Sequence, residues 1–430
     1  MFVFTGTAAV LSGLLAGIAP AIRSGRTDIA SALKLGGAVG GQRLTHSLLL
    51  VAQAALSVVL LVGAGLFVRS LRNIRSLDLG LDAERVLVAS IDLRNAGYGP
   101  EEIREFYRRA LSAVGALPQV ERISASRGQP FGVAHGGMLR IPGRDSMPVP
   151  PGGGPYLYAV TPGYFATLGT RLLRGRDFTD GDRAGSQQAV IVNQAIARLF
   201  WPGEEPLGRC VRVSGPDSTC AVVVGIVESG RLSSVQDEAY LFYRPLAQYL
   251  EPPEALYIRP RGELRATATA VRQRLQSLER DLPYVDVRLV QELVDPQYQA
   301  WKLGAVMFGA MGALAFLVTM VGLYSVVAYG VARRAPEFGI RMALGARADE
   351  IVRLVLSGGL RYTVAGIAIG VVIALAVAPA IASLLFQVSP RDPGIIVIVA
   401  IGLLAVATMA CLVPAWRATR VDPAAALRAE

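Results

Sequence analysis

The chain has 430 residues, of which 52% are hydrophobic and 18% are charged, and its formal net charge is +10. Charged residues make up about a quarter of an average soluble domain, so this composition excludes intrinsic disorder and argues against a purely soluble enzyme. Only Lys34 and Lys302 among the 43 basic residues are lysines, and many arginines flank apolar runs. This pattern predicts a membrane protein and no nucleic-acid partner.

Five apolar runs are long enough to cross a bilayer, which takes about 20 helical residues. Each is predicted to be a helix, because lipid offers no water to the backbone polar groups. The runs are 1–22, 48–68, 303–331, 363–386 and 395–416. In the fourth run Gly366 and Gly370 lie four residues apart, which predicts a small-residue face for close helix contact.

The distribution of basic residues predicts the orientation of these helices. Thirteen basic residues lie in the loops after the first and third runs and in the tail after the fifth, whereas the short loop after the fourth run holds only Arg391. Short cytoplasmic loops are enriched in Lys and Arg. The loops after the first and third runs and the tail after the fifth run are therefore predicted to be cytoplasmic. The long segment between the second and third runs is then extracytoplasmic, and we call it the outer domain.

The beginning of the chain repeats its end. Residues 20–34 align with 414–428 at a constant offset of 394 residues, with eight identities in fifteen positions. The alternative is that both are merely basic helix ends. Repeats of transmembrane units are common in transporters, so we expect the chain to begin inside the last helix of a preceding unit. A cleaved signal peptide is disfavoured, because Arg23 and Arg26 follow the run at 1–22 instead of preceding it.

The outer domain has an α+β pattern and is predicted to form two lobes. It opens with a strand at 85–93, a helix at 101–117 and a strand at 120–126, and a Pro/Gly-rich stretch at 147–155 marks a joint. Later strands are predicted at 189–192, 211–213, 221–227 and 240–243, and helical segments at 162–168, 194–200 and 266–278.

Two of the three cysteines flank a predicted hairpin in the outer domain. Cys210 and Cys220 lie five residues either side of Gly215, at the two ends of the hairpin. A disulfide is predicted here, because the pair lies on the oxidising side of the membrane and symmetric placement can bring side chains opposite each other. Two free, buried cysteines are the alternative, and Cys411 is expected only to pack within the last helix.

Motifs for catalysis or nucleotide binding are missing from these 430 residues. The P-loop requires Gly-Lys followed by Ser or Thr, but leucine follows both Lys34 and Lys302. The segment LSGGL at 356–360 lacks the glutamine of the transport-ATPase signature and leads into a membrane helix, so we interpret it as a packing or turn element. The sequence predicts no catalytic residue, no cofactor and no metal site.

One amphipathic segment stands out on the predicted cytoplasmic side, between the third and fourth apolar runs. Phe338, Met342 and Gly345 share one side of a helical projection, and Glu337 and Arg341 lie four apart on another. Such a helix can dock a soluble partner or lie on the lipid headgroups, and the sequence leaves both open.

With these features in place, the chain resembles the FtsX-like, MacB-type permease family. The segment EFGIRMALGA at 337–346 is close to the family pattern Glu-Ile-Gly-Ile-Arg-x-Ala-Leu-Gly-Ala. The closing segment at 414–427 and four outer-domain segments also match: YFATLG at 164–169, LRGRDF at 173–178, VNQ at 192–194 and FWPG at 200–203. The tandem form of the family, the duplicated orphan permeases, is similar to this chain and would explain the repeat.

The resemblance implies a non-enzymatic permease subunit in the bacterial inner membrane, which pairs with a second permease and with a separate ABC ATPase. In this family the segment around Glu337, Phe338, Gly339, Arg341, Met342 and Gly345 meets the ATPase. We expect Glu337 and Arg341 to make polar contacts to it, and Phe338 and Met342 apolar ones. The membrane helices would then transmit its motion to the outer domain for export or extraction of a substrate.

The resulting layout has four parts. Residues 1–43 are the last helix of a preceding unit and a linker, 44–70 a transmembrane helix, 71–300 a MacB-like outer domain, and 301–430 a three-helix permease domain with a coupling helix at 336–350. The alternative function is an ATPase-independent membrane scaffold or sensor whose outer domain binds a ligand.

Overall fold

A computed structural model describes residues 38–132, 134–144, 146–151, 153–213, 219–231, 235–279, 282–344 and 346–419. The predicted helix at 1–22, the first copy of the repeat and Gly345 lie outside these residues. The chain divides into two compact units. The helical unit holds the described residues of Met1–Gly65, Met307–Ile381 and Pro390–Glu430, and the outer unit holds Leu66–Val306 and Ala382–Ser389.

The secondary structure alternates long helices with a strand-rich central segment. The helices are α1 (Ala38–Arg75), α2 (Pro100–Gly115), α3 (Tyr164–Leu168), α4 (Gln194–Phe200), α5 (Leu264–Gln276), α6 (Gln291–Val294), α7 (Gln299–Arg333), α8 (Ala335–Ala343), α9 (Ala348–Ile381) and α10 (Pro393–Ala418). The strands are β1 (Leu87–Ser90), β2 (Val120–Arg127), β3 (His135–Gly136), β4 (Leu139–Arg140), β5 (Tyr156–Val160), β6 (Leu172–Gly175), β7 (Ala189–Asn193), β8 (Cys210–Val213), β9 (Cys220–Val227), β10 (Leu241–Pro245), β11 (Ala255–Pro260) and β12 (Asp286–Leu289).

Four stretches of the described chain are long and apolar enough to cross a membrane. They are Ser47–Arg75, Gln291–Arg333, Ala348–Leu384 and Pro393–Ala418, which confirms four of the five predicted helices. Each of these four helices begins before its apolar run. In particular, α9 begins at Ala348, fifteen residues before the apolar run at 363.

Small and polar side chains bring α1 close to its neighbours in the helical unit. A Cβ atom added to Gly370 would lie 2.7 Å from the carbonyl oxygen of Ala55, so these two backbones touch. The hydroxyls of Ser57 on α1 and Thr319 on α7 share a buried hydrogen bond of 3.1 Å. Small residues and interhelical hydrogen bonds replace the hydrophobic driving force that is missing between helices in lipid.

The outer unit is built on one mixed sheet. Its strand order is β12-β1-β11-β2-β5-β10-β7-β9-β8-β4, with β3 added beside β5 and β6 beside β9. The predicted strands and helices of the outer domain are present. However, β11 lies between β1 and β2 and pairs antiparallel with both, so the opening strand-helix-strand segment does not form adjacent strands.

Two separate hydrophobic cores give the outer unit two lobes, as predicted. In the first lobe, α2 buries Phe106 and Val114 and α5 buries Leu275 against the sheet. In the second lobe, α4 buries Ile196 and Phe200. Phe106 and Val114 on α2, and Ile196 and Phe200 on α4, are spaced at the helical period. This spacing is why the sequence predicted these two helices.

The two lobes share a narrow joint. Strands β2 and β5 pair only through Ser126 with Val160 and Arg127 with Ala159. Arg127 is buried there, and its guanidinium lies 3.0 Å from the carboxylate of Glu254. A buried charge needs such a partner, because burial removes its hydration. The Glu254 carboxylate therefore compensates part of the cost of burying Arg127 at the joint.

The two hairpin cysteines lie on neighbouring strands. Cys210 pairs in register with Val222, and Cys220 with Arg212, so the cysteines are diagonal neighbours and not directly opposite as the sequence suggested. Their Cα atoms are 5.4 Å apart, within the usual range for a disulfide, and the structure joins their sulfur atoms.

We predict that this disulfide forms in the mature protein and that Cys210→Ser destabilises the outer unit by about 3 kcal/mol, because the crosslink restricts the unfolded chain. Mass spectrometry of peptides from the unreduced full chain should find the 210–220 crosslink, and thermal unfolding should report the destabilisation. Cys411→Ser, which changes a cysteine of the helical unit, serves as the control for the crosslink. Alkylation of both outer cysteines without reduction would contradict the prediction.

Candidate functional site

The amphipathic segment forms its own short helix between two membrane helices. Helix α8 begins two residues after α7 ends at Arg333, and four residues separate its last residue from the start of α9. It lies on the side of the membrane that the distribution of basic residues assigns to the cytoplasm. Both connections are short, so little chain separates α8 from α7 and from α9.

The charged side chains at the two ends of α8 stabilise its helical conformation. Glu337 lies in its first turn and Arg341 in its last, which matches the helix dipole. Nη2 of Arg341 donates a hydrogen bond of 2.7 Å to Oε1 of Glu337. Both side chains are about half exposed, so this pair adds only a few tenths of a kcal/mol to stability. The two groups remain available to a partner.

The inner face of α8 is anchored to the helical unit. Phe338 is only 2% exposed and packs in one cluster with Ile351 of α9 and Ala418 of α10. Met342 is partly buried against the same cluster, and Gly339 is buried as well. This packing holds α8 against the ends of two membrane helices.

The exposed face of α8, opposite Phe338, carries apolar side chains that the sequence did not single out. Ile340 is 50% exposed, and Leu344, immediately after the helix, is 83% exposed. The expectation that Phe338 offers an apolar contact to a partner therefore does not fit its burial. The signal was present in the sequence, because Ile340 lies two residues from Phe338 and so on the opposite side of the helix.

Within the outer unit, the loop between α9 and α10 is fixed to the chain that leaves the membrane. Nε1 of Trp301 donates to the carbonyl oxygen of Leu384 at 2.9 Å, and the backbone N–H of Phe386 donates to Oγ of Ser70 at 2.7 Å. Nδ2 of Asn73 also donates to the Gln387 carbonyl at 3.0 Å. The loop is thus tied to the end of α1 and the start of α7.

A cavity of about 290 Å³ in the outer unit is one candidate ligand site. Its lining is mostly apolar, and most of its charged members have internal partners. Arg108 donates to Glu105 at 2.8 Å, and Asp182 accepts two hydrogen bonds from Arg176 at 2.7 and 2.8 Å. The Arg176 guanidinium lowers the pKa of the Asp182 carboxyl, so that carboxyl stays ionised. These charges serve the fold and give little support to a ligand-binding function.

Buried tyrosines occupy the sheet face next to this cavity. The rings of Tyr164 and Tyr257 meet edge to face, with centroids 5.5 Å apart, and Tyr243 lies against Phe165 in the same way at 4.8 Å. Burial raises the pKa of all three tyrosines, so they remain neutral at physiological pH. Their role is packing, and they do not assemble a catalytic group.

Two family models cover most of the chain. The model described as MacB-like periplasmic core domain matches residues 47–278, and the model described as FtsX-like permease C-terminal matches residues 309–423. The first match alone covers more than half of the 430 residues.

Curated relatives show the same likeness at low identity. The chain is 25% identical over 334 residues to the pyoverdine export ATP-binding/permease protein PvdT of Pseudomonas putida, which covers 74% of this chain and 48% of PvdT. It is 25% identical over 297 residues to the uncharacterized ABC transporter permease YvrN of Bacillus subtilis, covering 64% of this chain and 70% of YvrN. The chain thus spans about half the length of PvdT.

Among solved structures, the periplasmic region of MacB from Actinobacillus actinomycetemcomitans is similar to part of the chain. The match has a TM-score of 0.37 and 16% sequence identity, and it covers 53% of this chain and 97% of that structure.

Proposed function

The chain belongs to the MacB-type, FtsX-like family of ABC transporter permeases, and we propose that it is a permease subunit that couples a separate ATPase to its outer domain. It is a multi-pass inner-membrane protein with an extracytoplasmic MacB-like core domain. Permeases of this family work with ABC ATPases. The proposal concerns how this chain makes that connection.

One observation carries the proposal: α8 is held rigidly on one face and open on the other. Phe338 is anchored against α9 and α10, while Ile340 and Leu344 project outward beside the Glu337–Arg341 pair. An exposed apolar pair flanked by charges has the composition of an interface core with a polar rim. A docked ATPase that moves α8 would move the membrane helices packed on it.

We further propose the route by which this motion leaves the membrane. Helices α1 and α7 run from the helical unit into the outer unit, and the loop between α9 and α10 is hydrogen-bonded to their outer ends through Ser70 and Trp301. A shift of α9 would therefore be passed to the loop that follows it and, through these hydrogen bonds, to α1 and α7. The outer domain would use this motion for export or extraction of a substrate, with a second permease completing the assembly.

Cross-linking from Ile340→Cys in intact membranes tests the proposal. The thiol is expected to capture an ATP-binding subunit, identified by mass spectrometry of the adduct. The other cysteines need no replacement, because Cys411 is buried and Cys210 and Cys220 are joined in the structure. Ile398→Cys on α10 is the matched control, since Ile398 is 71% exposed but lies in an apolar run that faces lipid.

The outcome separates the two candidate functions. An ATP-binding subunit on position 340, and none on position 398, supports the coupled permease. Adducts of lipid or of the chain itself at position 340, obtained from folded material, would instead support an ATPase-independent scaffold.

A further inference from the structure

Arg361 is an exposed arginine within a membrane helix, close to the point where that helix packs against two others. The sequence places it in a cytoplasmic loop, but the structure places it within the unbroken helix α9. Two residues earlier, Gly359 packs against two other membrane helices: a Cβ atom added there would lie 2.6 Å from Sγ of Cys411 and 3.2 Å from Cγ2 of Val327. Arg361 therefore stands beside the packed part of the helical unit.

Arg361 lies two residues before the apolar run at 363–386. That run is by itself long enough to cross the hydrocarbon, which takes about 20 helical residues. The backbone of Arg361 is therefore expected at the cytoplasmic edge of the hydrocarbon, below the headgroups.

The side chain of Arg361 points away from the other helices. Gly359, Thr363 and Gly366 are buried and define the inner face of α9, whereas Arg361 is exposed. A charge on the lipid-facing side of a spanning helix is costly unless it reaches water or a polar partner. An anion at the headgroup level would be such a partner for Arg361.

The described residues supply no carboxylate partner, because no ion pair among them involves Arg361. The apolar runs at 48–68, 303–331, 363–386 and 395–416 contain no Asp or Glu. A second copy of the chain would bring the same runs and the same lack of carboxylates within the membrane.

The direction of the side chain leads toward the cytoplasmic headgroups. In a helix each Cα–Cβ bond tilts toward the N-terminus, so a long side chain lies over the preceding turn. The N-terminus of α9 is on the cytoplasmic side, and the preceding turn carries the small residues Ser357 and Gly358. Both are exposed, and a Cβ atom added to Gly358 would meet nothing within 4 Å. An open path thus runs from Arg361 to the interface.

We propose that Arg361 holds the phosphate of an anionic phospholipid in the cytoplasmic leaflet, over the small residues Ser357 and Gly358. From the edge of the hydrocarbon, the apolar stem of Arg361 would let the guanidinium reach the headgroup level while the stem stays in lipid. The acyl chains would lie along the exposed apolar side chains of α9, such as Val364. This inference is independent of the proposed coupling to an ATPase.

Native mass spectrometry of the full chain in detergent, with dioleoylphosphatidylglycerol or dioleoylphosphatidylcholine added, tests the proposal. The wild type should bind the anionic lipid in preference to the zwitterionic one. Arg361→Gln should weaken phosphatidylglycerol binding about fivefold, the usual contribution of one basic residue at an anionic surface, and leave phosphatidylcholine binding unchanged. Arg361→Lys keeps the charge and should retain most of the preference.

Arg347→Gln is the matched control, because it removes one charge from a side chain that is 81% exposed on the same side of the membrane. It should change phosphatidylglycerol binding less than twofold. Equal affinity of wild type and a folded Arg361→Gln variant would overturn the proposal. So would a photo-crosslinking residue at Ser357 that captures an acidic membrane helix of another protein, since the anion would then be a carboxylate.

Discussion

An aspartate in place of Ile340 is expected to weaken binding of the ATPase about thirtyfold and to leave the permease folded. The exposed Ile340 side chain sits at the middle of the proposed interface on α8. Replacing a central apolar contact by a charge lowers the binding free energy by about 2 kcal/mol or more. The new carboxylate loses its hydration in the interface and gains no partner there. The measurement is the affinity of the ATPase captured at position 340 for the detergent-solubilised full chain.

Two variants show whether the loss of ATPase affinity is specific to the exposed face of α8. Arg347→Gln changes the net charge by the same amount at a neighbouring, highly exposed position and should leave the affinity unchanged. Phe338→Ala empties a buried site and should instead lower the unfolding free energy of the helical unit by about 3–5 kcal/mol. If Ile340→Asp binds the ATPase with wild-type affinity, α8 is not the docking surface.

The membrane architecture was predictable because its signals are strong and local. The apolar runs are long, and the helical periods of α2 and α5 are regular, so both classes of element appear close to their predicted positions. Strands β3 to β6 were missed, and so were β11 and β12, the two partners of β1. The last two are short, and their pairing with β1 depends on chain segments more than 150 residues away, which no local pattern encodes.

The candidate site was only partly predictable for a different reason. The sequence gives the two faces of α8 but does not say which face the rest of the protein covers. That depends on Ile351 and Ala418, which pack on Phe338 from other helices. Arg361 shows the same limit, because its exposure follows from the packing of Gly359 on Val327 and Cys411, which covers the opposite face of α9.

Leucine in place of Gly370 is expected to prevent the close packing of α9 on α1 and to destabilise the helical unit by about 3 kcal/mol or more. A Cβ atom at position 370 would lie 2.7 Å from both the Ala55 carbonyl oxygen and Cβ of Val58. One of these is backbone, so the helices must separate and lose the contacts around them. The thermal midpoint and monodispersity of the full chain in detergent report the effect.

Gly402→Leu is the matched control, because the same substitution on α10 meets nothing within 4 Å and adds an apolar side chain toward lipid. It should leave the midpoint unchanged or raise it slightly, since leucine is a better helix former than glycine. Equal midpoints for the two variants would show that Gly370 does not pack on α1. The distinction also bears on assembly: a Gly366–Gly370 face occupied by Ala54 and Ala55 of the same chain cannot be the face on which a second permease packs.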